Sequence, residues 1–323
     1  MQIQFFTLCS NNYLAFAKTL GDSLLRHHPD AQFAIGLVDL YDPLIDYSVF
    51  APFELLDQES IGCPDFKGML ERYDVIEFNT AVKPFYFEFL MNRVGADGKV
   101  IYLDPDIVVY RPLNSLLGLL DENAILLTPN LLNPPLNEVS LGELASLRHG
   151  MFNLGFIAVN NTVEAQKFIT WWQVRLRKYC LIKKSSGLFV DQKWVDLAPL
   201  YFSGIMILRD PGYNMAWWNL DERKLLFSTD GYFVNDFEHP LYFFHFSGFS
   251  PDNPRLTSRL DAHIKLTEHN PEILDQLFSD YASRLKASGH SRYSVLKPVL
   301  KFHSAKKENR LFRLLRKLYA VLK

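Results

Sequence analysis

Cysteine is scarce in this 323-residue chain, and the three that it has, Cys9, Cys63 and Cys180, lie far apart. An odd number of scattered cysteines forms neither a disulfide framework nor the paired spacing of a zinc site. No apolar run reaches about 18 residues, and residues 1–10 lack the basic start and the apolar stretch of a secretion signal. We therefore expect a cytoplasmic protein that does not span a membrane.

Glycine and basic residues are missing where two other classes of protein need them. Residues 7–14 contain no glycine, which argues against the glycine-rich phosphate loop of a nucleotidyltransferase. Residues 1–291 hold 24 Lys and Arg against 35 Asp and Glu, so the body is acidic and nucleic acid is not the expected partner. Hydrophobic residues (48%) and aromatic residues (14%) are plentiful, and they predict a substantial core.

The first forty residues have the pattern of a βαβ unit. An apolar run from Ile3 to Leu8 leads into a helical pattern from Tyr13 to His27, and a second apolar run from Phe33 to Val38 ends at Asp39. Such a unit pairs its strands in parallel. Since neither a repeat nor a linker occurs before about residue 288, we predict one α/β domain over residues 1–290. Its central sheet is expected to be mostly parallel and flanked by helices.

Two carboxylates follow a buried strand near the middle of the chain. Asp104 and Asp106 stand between the apolar runs Lys99–Leu103 and Ile107–Tyr110. Paired carboxylates form a hard-oxygen site that suits Mg²⁺ or Mn²⁺ bound to a diphosphate. An isolated Asp-x-Asp is often only a solvated turn, but the flanking strands favour a metal site.

Three segments together resemble the GT-A fold glycosyltransferases, and especially glycosyltransferase family 8, which includes glycogenin and bacterial lipopolysaccharide galactosyl- and glucosyltransferases. The similar segments are Val100–Leu113, Phe152–Asn160 and His245–Gly248, in the order in which the family has them. The resemblance implies a Rossmann-like GT-A domain that moves a hexose from a nucleotide diphosphate sugar, with UDP-sugar as the expected donor, to a saccharide or lipid-linked acceptor. It also implies Mn²⁺ or Mg²⁺ and retention at the anomeric carbon. Inverting transfer and a binding protein without catalysis are the alternatives.

By this resemblance His245 is the third metal ligand, beside Asp104 and Asp106. Its alternative is a core histidine in an aromatic strand. Asn153 and Gly155 belong to the family's Asn-x-Gly strand and are assigned to the donor site. Gly248 would let the backbone approach the phosphates.

The family's late lysine, which contacts the diphosphate, is absent after Gly248. Lys83 lies in the region where relatives carry a basic donor-site residue, so it is our candidate phosphate contact, with a surface lysine as the alternative. Asp191 and Gln192 lie where relatives carry an Asp-Gln pair near the reacting sugar. Asp191 would act as a base in an inverting reaction or stabilise positive charge in a retaining one, and its alternative is a helix N-cap.

The first βα turn resembles the family's nucleotide-binding loop. There Thr7, Asn12 and Tyr13 would meet the nucleotide, with the tyrosine ring stacked on the base. Helix capping is the alternative for Asn12 and for its neighbour Asn11. Asp39 is a weaker ribose candidate.

The aromatic segment Tyr213–Asn219 contains Trp217 and Trp218, which would contact an acceptor sugar or pack in the core. Trp171 and Trp172 lie in a helical pattern and are expected in the core.

The end of the chain is strongly basic, with 10 Lys and Arg against one acid in residues 292–323. Leu311–Tyr319 has the periodicity of an amphipathic helix, too short and too charged to span a bilayer. We expect residues 291–323 to form a basic tail that binds an anionic membrane surface and holds the protein at the inner face of the cytoplasmic membrane. A helix docked on the body or on a partner subunit is the alternative. The identity of the sugar cannot be read from the sequence.

Overall fold

The computed structural model describes residues 2–133, 135–252 and 270–303. Its strands, in chain order, are β1 (Ile3–Cys9), β2 (Gln32–Leu37), β3 (Glu54–Asp57), β4 (Lys99–Leu103), β5 (Ile107–Val109), β6 (Ile125–Pro129), β7 (Phe152–Asn160), β8 (Ile182–Lys183), β9 (Leu188–Phe189), β10 (Ile205–Ile207), β11 (Met215–Ala216), β12 (Leu225–Ser228), β13 (Gly231–Val234) and β14 (Phe243–His245).

The helices, again in chain order, are α1 (Leu14–His27), α2 (Gln58–Ile61), α3 (Phe66–Arg72), α4 (Val75–Ala81), α5 (Lys83–Val94), α6 (Asn114–Glu122), α7 (Leu141–His149), α8 (Val163–Tyr179), α9 (Gln192–Val195), α10 (Ala198–Tyr201), α11 (Pro271–Ala287) and α12 (His290–Tyr293). None of the helices in the described ranges is long and apolar enough to cross a membrane.

A seven-stranded sheet in the order β10-β6-β7-β4-β1-β2-β3 forms the centre of the molecule. β1, β2, β3 and β4 are parallel, as are β6 and β10, and β7 runs antiparallel to both of its neighbours. The predicted α/β class with a mostly parallel sheet is therefore confirmed. The chain leaves β1 toward β2 and β3 and then returns to place β4 on the other side of β1. Open α/β sheets bind ligands at such a switch point, outside the carboxyl ends of the strands.

Both faces of this sheet are covered, which explains why its strands are apolar throughout. One face packs against α5 and α8, where Trp172 is fully buried as predicted. The opposite face packs against α1 and α6. α5 begins with Lys83 and Pro84, and proline is well tolerated in a first helical turn because no backbone donor is needed there.

A smaller sheet in the order β11-β14-β5 extends the strand-end region. β14 is antiparallel to β5 and pairs His245 with Ile107, the residue that follows Asp106. The Phe246 amide also donates to the Asp106 carbonyl, at 2.8 Å. This register brings a histidine late in the chain next to the Asp-x-Asp segment.

Several elements were not predicted from the sequence. α4 and α7 are short helices, and each has a capping box, formed by Asp74 with Glu77 and by Ser140 with Glu143. α7 has no buried residue, so no apolar periodicity marks it. The β12–β13 hairpin was also missed. The apolar run Lys99–Leu103 forms a strand with these bounds, and the run Ile107–Tyr110 forms a strand that ends one residue earlier, at Val109.

The segment from Ser294 to His303, called the strap here, crosses the carboxyl ends of β1 and β2. The backbone amides of Val299 and Leu300 donate to the Asp39 carboxylate, at 3.0 and 2.9 Å. The amide of His303 donates to the carbonyls of Leu70 and Tyr73. The amphipathic helix predicted at 311–319 lies outside the described residues.

Candidate metal and donor-sugar site

Three potential metal ligands meet beside the switch point of the large sheet. Asp104 and Asp106 follow β4, and His245 ends β14. One ligand atom from each lies within 4.8 Å of those of the other two. The His245 Nε2 atom is 3.0 Å from the Asp106 Oδ1 atom and 3.6 Å from the Asp104 Oδ2 atom. The structure thus brings together the three residues that the sequence singled out as metal ligands.

The His245 ring is held by its other nitrogen. Nδ1 lies 3.2 Å from Asn153 Oδ1, which can only accept a hydrogen bond, so Nδ1 is the donor and Nε2 faces the carboxylates. This is the arrangement by which a carbonyl oxygen orients a metal-binding histidine. A Cβ on Gly155 would lie 2.7 Å from Nδ1, so glycine leaves room for the ring.

The charge around His245 is consistent with this geometry. Burial alone would lower the pKa of His245, but the carboxylates of Asp106 and Asp104 outweigh it and raise the pKa. Tyr102 donates its hydroxyl to Asp104 Oδ1 at 2.5 Å. His245 is 3% exposed, so it is a core histidine, as the alternative interpretation has it. It also belongs to the cluster with Asp104 and Asp106.

These side chains fit a divalent cation. Two carboxylates and one imidazole are hard or borderline ligands suited to Mn²⁺ or Mg²⁺. Both aspartates remain partly exposed, so the cluster is accessible to solvent. The identity of the ion stays a prediction.

Lys83 and Asp191 form a buried ion pair close to this cluster. The Lys83 Nζ atom donates to Asp191 Oδ2 at 2.7 Å and to the Leu154 carbonyl at 2.9 Å, and it lies 4.3 Å from the centre of the Tyr102 ring. Both side chains are 4% exposed. The surface-lysine alternative is therefore wrong, because the ammonium has exchanged water for a carboxylate and a carbonyl. Its predicted contact with the phosphates remains a prediction.

Asp191 occupies the N-cap position of α9, but its side chain makes no capping hydrogen bond there. It turns inward to Lys83. Burial raises the pKa of Asp191, although the Lys83 ammonium acts in the opposite direction. The preceding residue, Val190, has φ +40°, a strained conformation for a β-branched side chain.

Gln192 bonds to the strand and helix beside it. Its Nε2 atom donates to the His149 carbonyl at 3.1 Å, and its Oε1 atom accepts from the Leu154 amide at 3.4 Å. Leu154 thus connects Asp191 with Gln192. Its carbonyl accepts a hydrogen bond from Lys83, the partner of Asp191, and its amide donates one to Gln192. The role of Gln192 near the sugar stays a prediction.

The predicted nucleotide loop lies at the end of β1. Thr7 is fully buried, and its hydroxyl has no hydrogen-bond partner within the described part of the chain. Asn12 is half-buried, and Tyr13 is 42% exposed with its ring stacked on Phe16. Burial raises the pKa of Tyr13, and the nearby carboxylate of Asp106 raises it further. Tyr13 therefore lies near the carboxylates of the candidate metal site, and its stacking on a base stays a prediction.

Asn11 does not cap α1, so the helix-capping alternative is wrong for this residue. Its amide nitrogen donates to Asp39 Oδ2 and to the Leu40 carbonyl, and its oxygen accepts from the Tyr47 hydroxyl. Asp39 is fully buried and also accepts from the strap. With both carboxylate oxygens engaged inside the protein, the ribose role predicted for Asp39 gains no support.

The late motif ends at Gly248, whose φ of +74° explains the need for glycine. A Cβ there would meet no atom within 4 Å, so its surroundings are open. Trp218 lies beside the candidate metal ligands, its ring centroid 5.2 Å from that of His245 in an edge-to-face arrangement. Trp217 packs on Trp218, at 5.8 Å. Trp218 therefore contacts the candidate site through His245.

Asn214 was missed by sequence reasoning. Its side-chain nitrogen donates to Asn153 Oδ1 at 3.1 Å and to the Thr128 hydroxyl at 2.8 Å, so it supports the residue that orients His245. Its φ is +55°, a conformation that asparagine adopts more readily than most residues. The only sign of a special role in the sequence was an asparagine within the aromatic segment Tyr213–Asn219. Its contact with Asn153 could not be predicted, because the two residues are 61 positions apart.

No family model matches the chain. Among curated proteins it is similar to uncharacterized protein YfnF of Bacillus subtilis (strain 168), at 25% identity over 179 residues, 55% of this chain and 59% of the relative. It is also similar to uncharacterized protein YfnD of the same strain, at 34% identity over 105 residues, 32% of this chain and 33% of the relative. The chain thus spans less than two thirds of each of these relatives.

Solved structures are similar over more of the chain. The galactosyltransferase LgtC, in complex with donor and acceptor sugar analogues, is 16% identical with a TM-score of 0.50, covering 87% of this chain and 95% of LgtC. The protein has the GT-A fold. The glycosyltransferase GlyE of Streptococcus pneumoniae is 17% identical with a TM-score of 0.48, covering 95% of this chain and 66% of GlyE. At 16% identity the likeness to LgtC shows the architecture and not the chemistry.

Proposed function

We propose that this protein is a metal-dependent glycosyltransferase of the family 8 type. It would move a hexose from a nucleotide diphosphate sugar, with UDP-sugar as the expected donor, to a saccharide or lipid-linked acceptor. The observation that carries the proposal is the meeting of Asp104, Asp106 and His245 at the switch point of a GT-A sheet. A divalent cation held by these three residues would neutralise charge on the departing diphosphate.

The transfer breaks the bond between the anomeric carbon and the diphosphate oxygen and forms one between that carbon and an acceptor hydroxyl oxygen. The hydroxyl proton must leave, and in a retaining reaction the departing diphosphate oxygen on the same face receives it. Nucleoside diphosphate and the glycosylated acceptor are then the products. The chain's task is to orient both substrates and to stabilise positive charge on the sugar ring.

Asp191 suits that stabilising role better than the role of a base. Its carboxylate is buried and bound to Lys83 at 2.7 Å, so a proton taken from an acceptor would have to compete with the ammonium. Because Lys83 neutralises much of its charge, Asp191 would act through the fixed dipole of the ion pair, whose negative end can face positive charge that develops on the sugar. This supports retention over inversion. Proton NMR of the first-formed product distinguishes them, since an inverted anomer would exclude the retaining mechanism.

Thr7, Asn12 and Tyr13 would bind the nucleoside, because they lie in and directly after β1, and Tyr13 is near the carboxylates of Asp104 and Asp106. Thr7 provides a buried hydroxyl, and Tyr13 provides a partly exposed ring for stacking on a base. Gly248 would bring backbone amides to the diphosphate. Lys83 would contribute positive charge to the same pocket while remaining paired with Asp191.

Hydrolysis of a panel of nucleotide sugars with Mn²⁺ tests the function. The wild-type protein should release nucleoside diphosphate from at least one of them, and Asp106→Ala should lose that activity. Asp30→Ala, which removes an exposed carboxylate elsewhere, is the matched control and should keep it. Absence of binding and hydrolysis for every donor, or equal activity of wild type and Asp106→Ala, would refute the transferase proposal.

The basic tail would attach the protein to an anionic membrane at the cytoplasmic face. The support is its composition, with 10 Lys and Arg against one acid in residues 292–323. Three of these basic residues, Arg292, Lys297 and Lys301, lie in α12 and the strap, and the other seven belong to residues 304–323. Flotation with liposomes that contain phosphatidylserine should decrease on removal of residues 304–323. Equal flotation of both proteins would exclude this attachment.

A further inference from the structure

A cavity of about 590 Å³ lies away from the metal-site residues, between α11, the β12–β13 hairpin and the end of β5. Tyr110 and Arg111 form its β5 wall, directly beyond the strand that begins after Asp106. At about 3.3 Å for each residue, Tyr110 lies roughly 13 Å along the strand from Asp106. The volume is in the range of small-molecule sites in proteins, about 300–1,000 Å³. The cavity is therefore a second candidate binding site.

Aromatic rings form one wall of this cavity. Tyr232 packs edge-on against Tyr110, with centroids 5.4 Å apart, and against Phe227 at 5.0 Å. Phe227 lines the cavity and is 43% exposed. Exposed aromatic rings around a concavity offer flat apolar faces to a ligand, and the apolar face of a sugar ring matches them.

The opposite wall is polar and is formed by one face of α11. Gln276, Asp280 and Arg284 are spaced by four residues, so they stand one above another along the helix. Arg284 Nε donates to Asp280 Oδ2 at 2.7 Å. The terminal nitrogens of Arg284 and the amide of Gln276 have no hydrogen-bond partner among the residues that the structure describes. Flat groups with neighbouring donors and acceptors suit the adjacent hydroxyls of a sugar.

The charges around the cavity balance, which bears on the class of ligand. Arg111 and Arg284 supply two positive charges, and Asp230 and Asp280 supply two negative charges. Such a site has no net field to attract a phosphate or another polyanion. Its mixture of rings and polar groups also disfavours a purely apolar ligand. A neutral molecule with many hydroxyl groups fits both conditions.

We propose that this cavity binds a neutral saccharide and holds part of a glycan apart from the donor site. The biological use, in which the glycan is an acceptor or product, rests on the proposed transferase function. Binding itself depends only on the cavity. The site would favour extended acceptors over short ones, because a sugar bound there is joined to the reacting end by the remaining glycan.

Saturation-transfer NMR tests the proposal on the full chain, with maltotetraose, N-acetylglucosamine tetramer and inorganic phosphate as separate probes. The wild type should bind at least one of the two saccharides. Phe227→Ala and Gln276→Ala should each weaken binding at least about tenfold, about 1.4 kcal/mol. Phe237→Ala is the matched control, since Phe237 is an exposed aromatic residue that does not line the cavity, and its binding should be unchanged. Thermal melting confirms that each variant is folded.

Three results would overturn the inference: no binding of either saccharide, equal binding in Phe227→Ala, Gln276→Ala and wild type, or binding of phosphate alone. Asp106→Ala separates this inference from the proposed function, because it should keep saccharide binding while losing donor hydrolysis. Saccharide binding without hydrolysis by the wild type would defeat only the transferase proposal. Hydrolysis without saccharide binding would defeat only the second site.

Discussion

The Lys83 ammonium lies 2.7 Å from the Asp191 carboxylate, and both groups are buried although 108 positions separate them in sequence. Replacing either one alone leaves a buried charge without its partner, which costs about 3–5 kcal/mol in proteins. We expect Lys83→Met and Asp191→Asn each to lower the free energy of unfolding by about this amount. Urea denaturation measures the change.

The double variant Lys83→Met/Asp191→Asn should recover part of this loss, because it leaves neither charge in the core. Lys167→Met provides the control. It breaks an exposed ion pair with Glu164, which contributes only about 0–1 kcal/mol. Additive losses in the double variant would show that the two groups do not interact.

Asn153 is expected to act on metal binding through His245. Asn153→Ala removes the acceptor 3.2 Å from Nδ1 and leaves the ring free to rotate away from the carboxylates. Loss of such an orienting partner weakens metal affinity about 10- to 100-fold. Titration with Mn²⁺, followed by paramagnetic broadening, measures it. Asn153→Asp keeps an acceptor and should retain more of the affinity than Asn153→Ala, whereas equal loss in both would contradict an orienting role.

Gly155 allows a sharper version of the same experiment. A Cβ at this position would lie 2.7 Å from His245 Nδ1, so Gly155→Ala must displace the ring. We expect at least about a tenfold loss of Mn²⁺ affinity and a stability loss of about 1–3 kcal/mol from overpacking. Gly118→Ala is the matched control, because a Cβ there would meet nothing within 4 Å. It should leave the affinity unchanged and gain up to about 1 kcal/mol of helix stability.

The sequence predicted the fold class and, to within one residue, the carboxyl ends of the parallel strands β1, β2 and β4. Asp104 and Asp106 were visible because a buried strand ends directly before them. The proximity of His245 depends on the antiparallel register of β14 and β5, and only the family resemblance suggested it. Single-sequence patterns contain no signal for the pairing of Lys83 with Asp191, since neither burial nor long-range contact follows from local periodicity. For the same reason Asn214 was overlooked and Asp39 was assigned to a ligand.

Added Mn²⁺ should stabilise the folded protein through Asp104, Asp106 and His245. A ligand at a hundred times its dissociation constant raises the free energy of unfolding by about 2.7 kcal/mol. Calorimetry should therefore show a higher Tm with Mn²⁺, and chelation should reverse it. Asp106→Asn and His245→Ala each remove a ligand and should abolish the shift. An undiminished shift in both variants would place the ion elsewhere.

Asp39 is expected to stabilise the protein by holding the strap. Its carboxylate accepts from the amides of Leu40, Val299 and Leu300 and from the Asn11 side chain. Asp39→Ala removes the acceptor of the buried Asn11 amide and of three partly buried backbone amides, and a buried group left without its partner costs about 1–3 kcal/mol. We expect a loss of several kcal/mol in urea denaturation and faster hydrogen exchange at Val299 and Leu300. Asp30→Ala, at an exposed site, should change neither, and slow exchange of the two strap amides in Asp39→Ala would show that other contacts hold the strap in place.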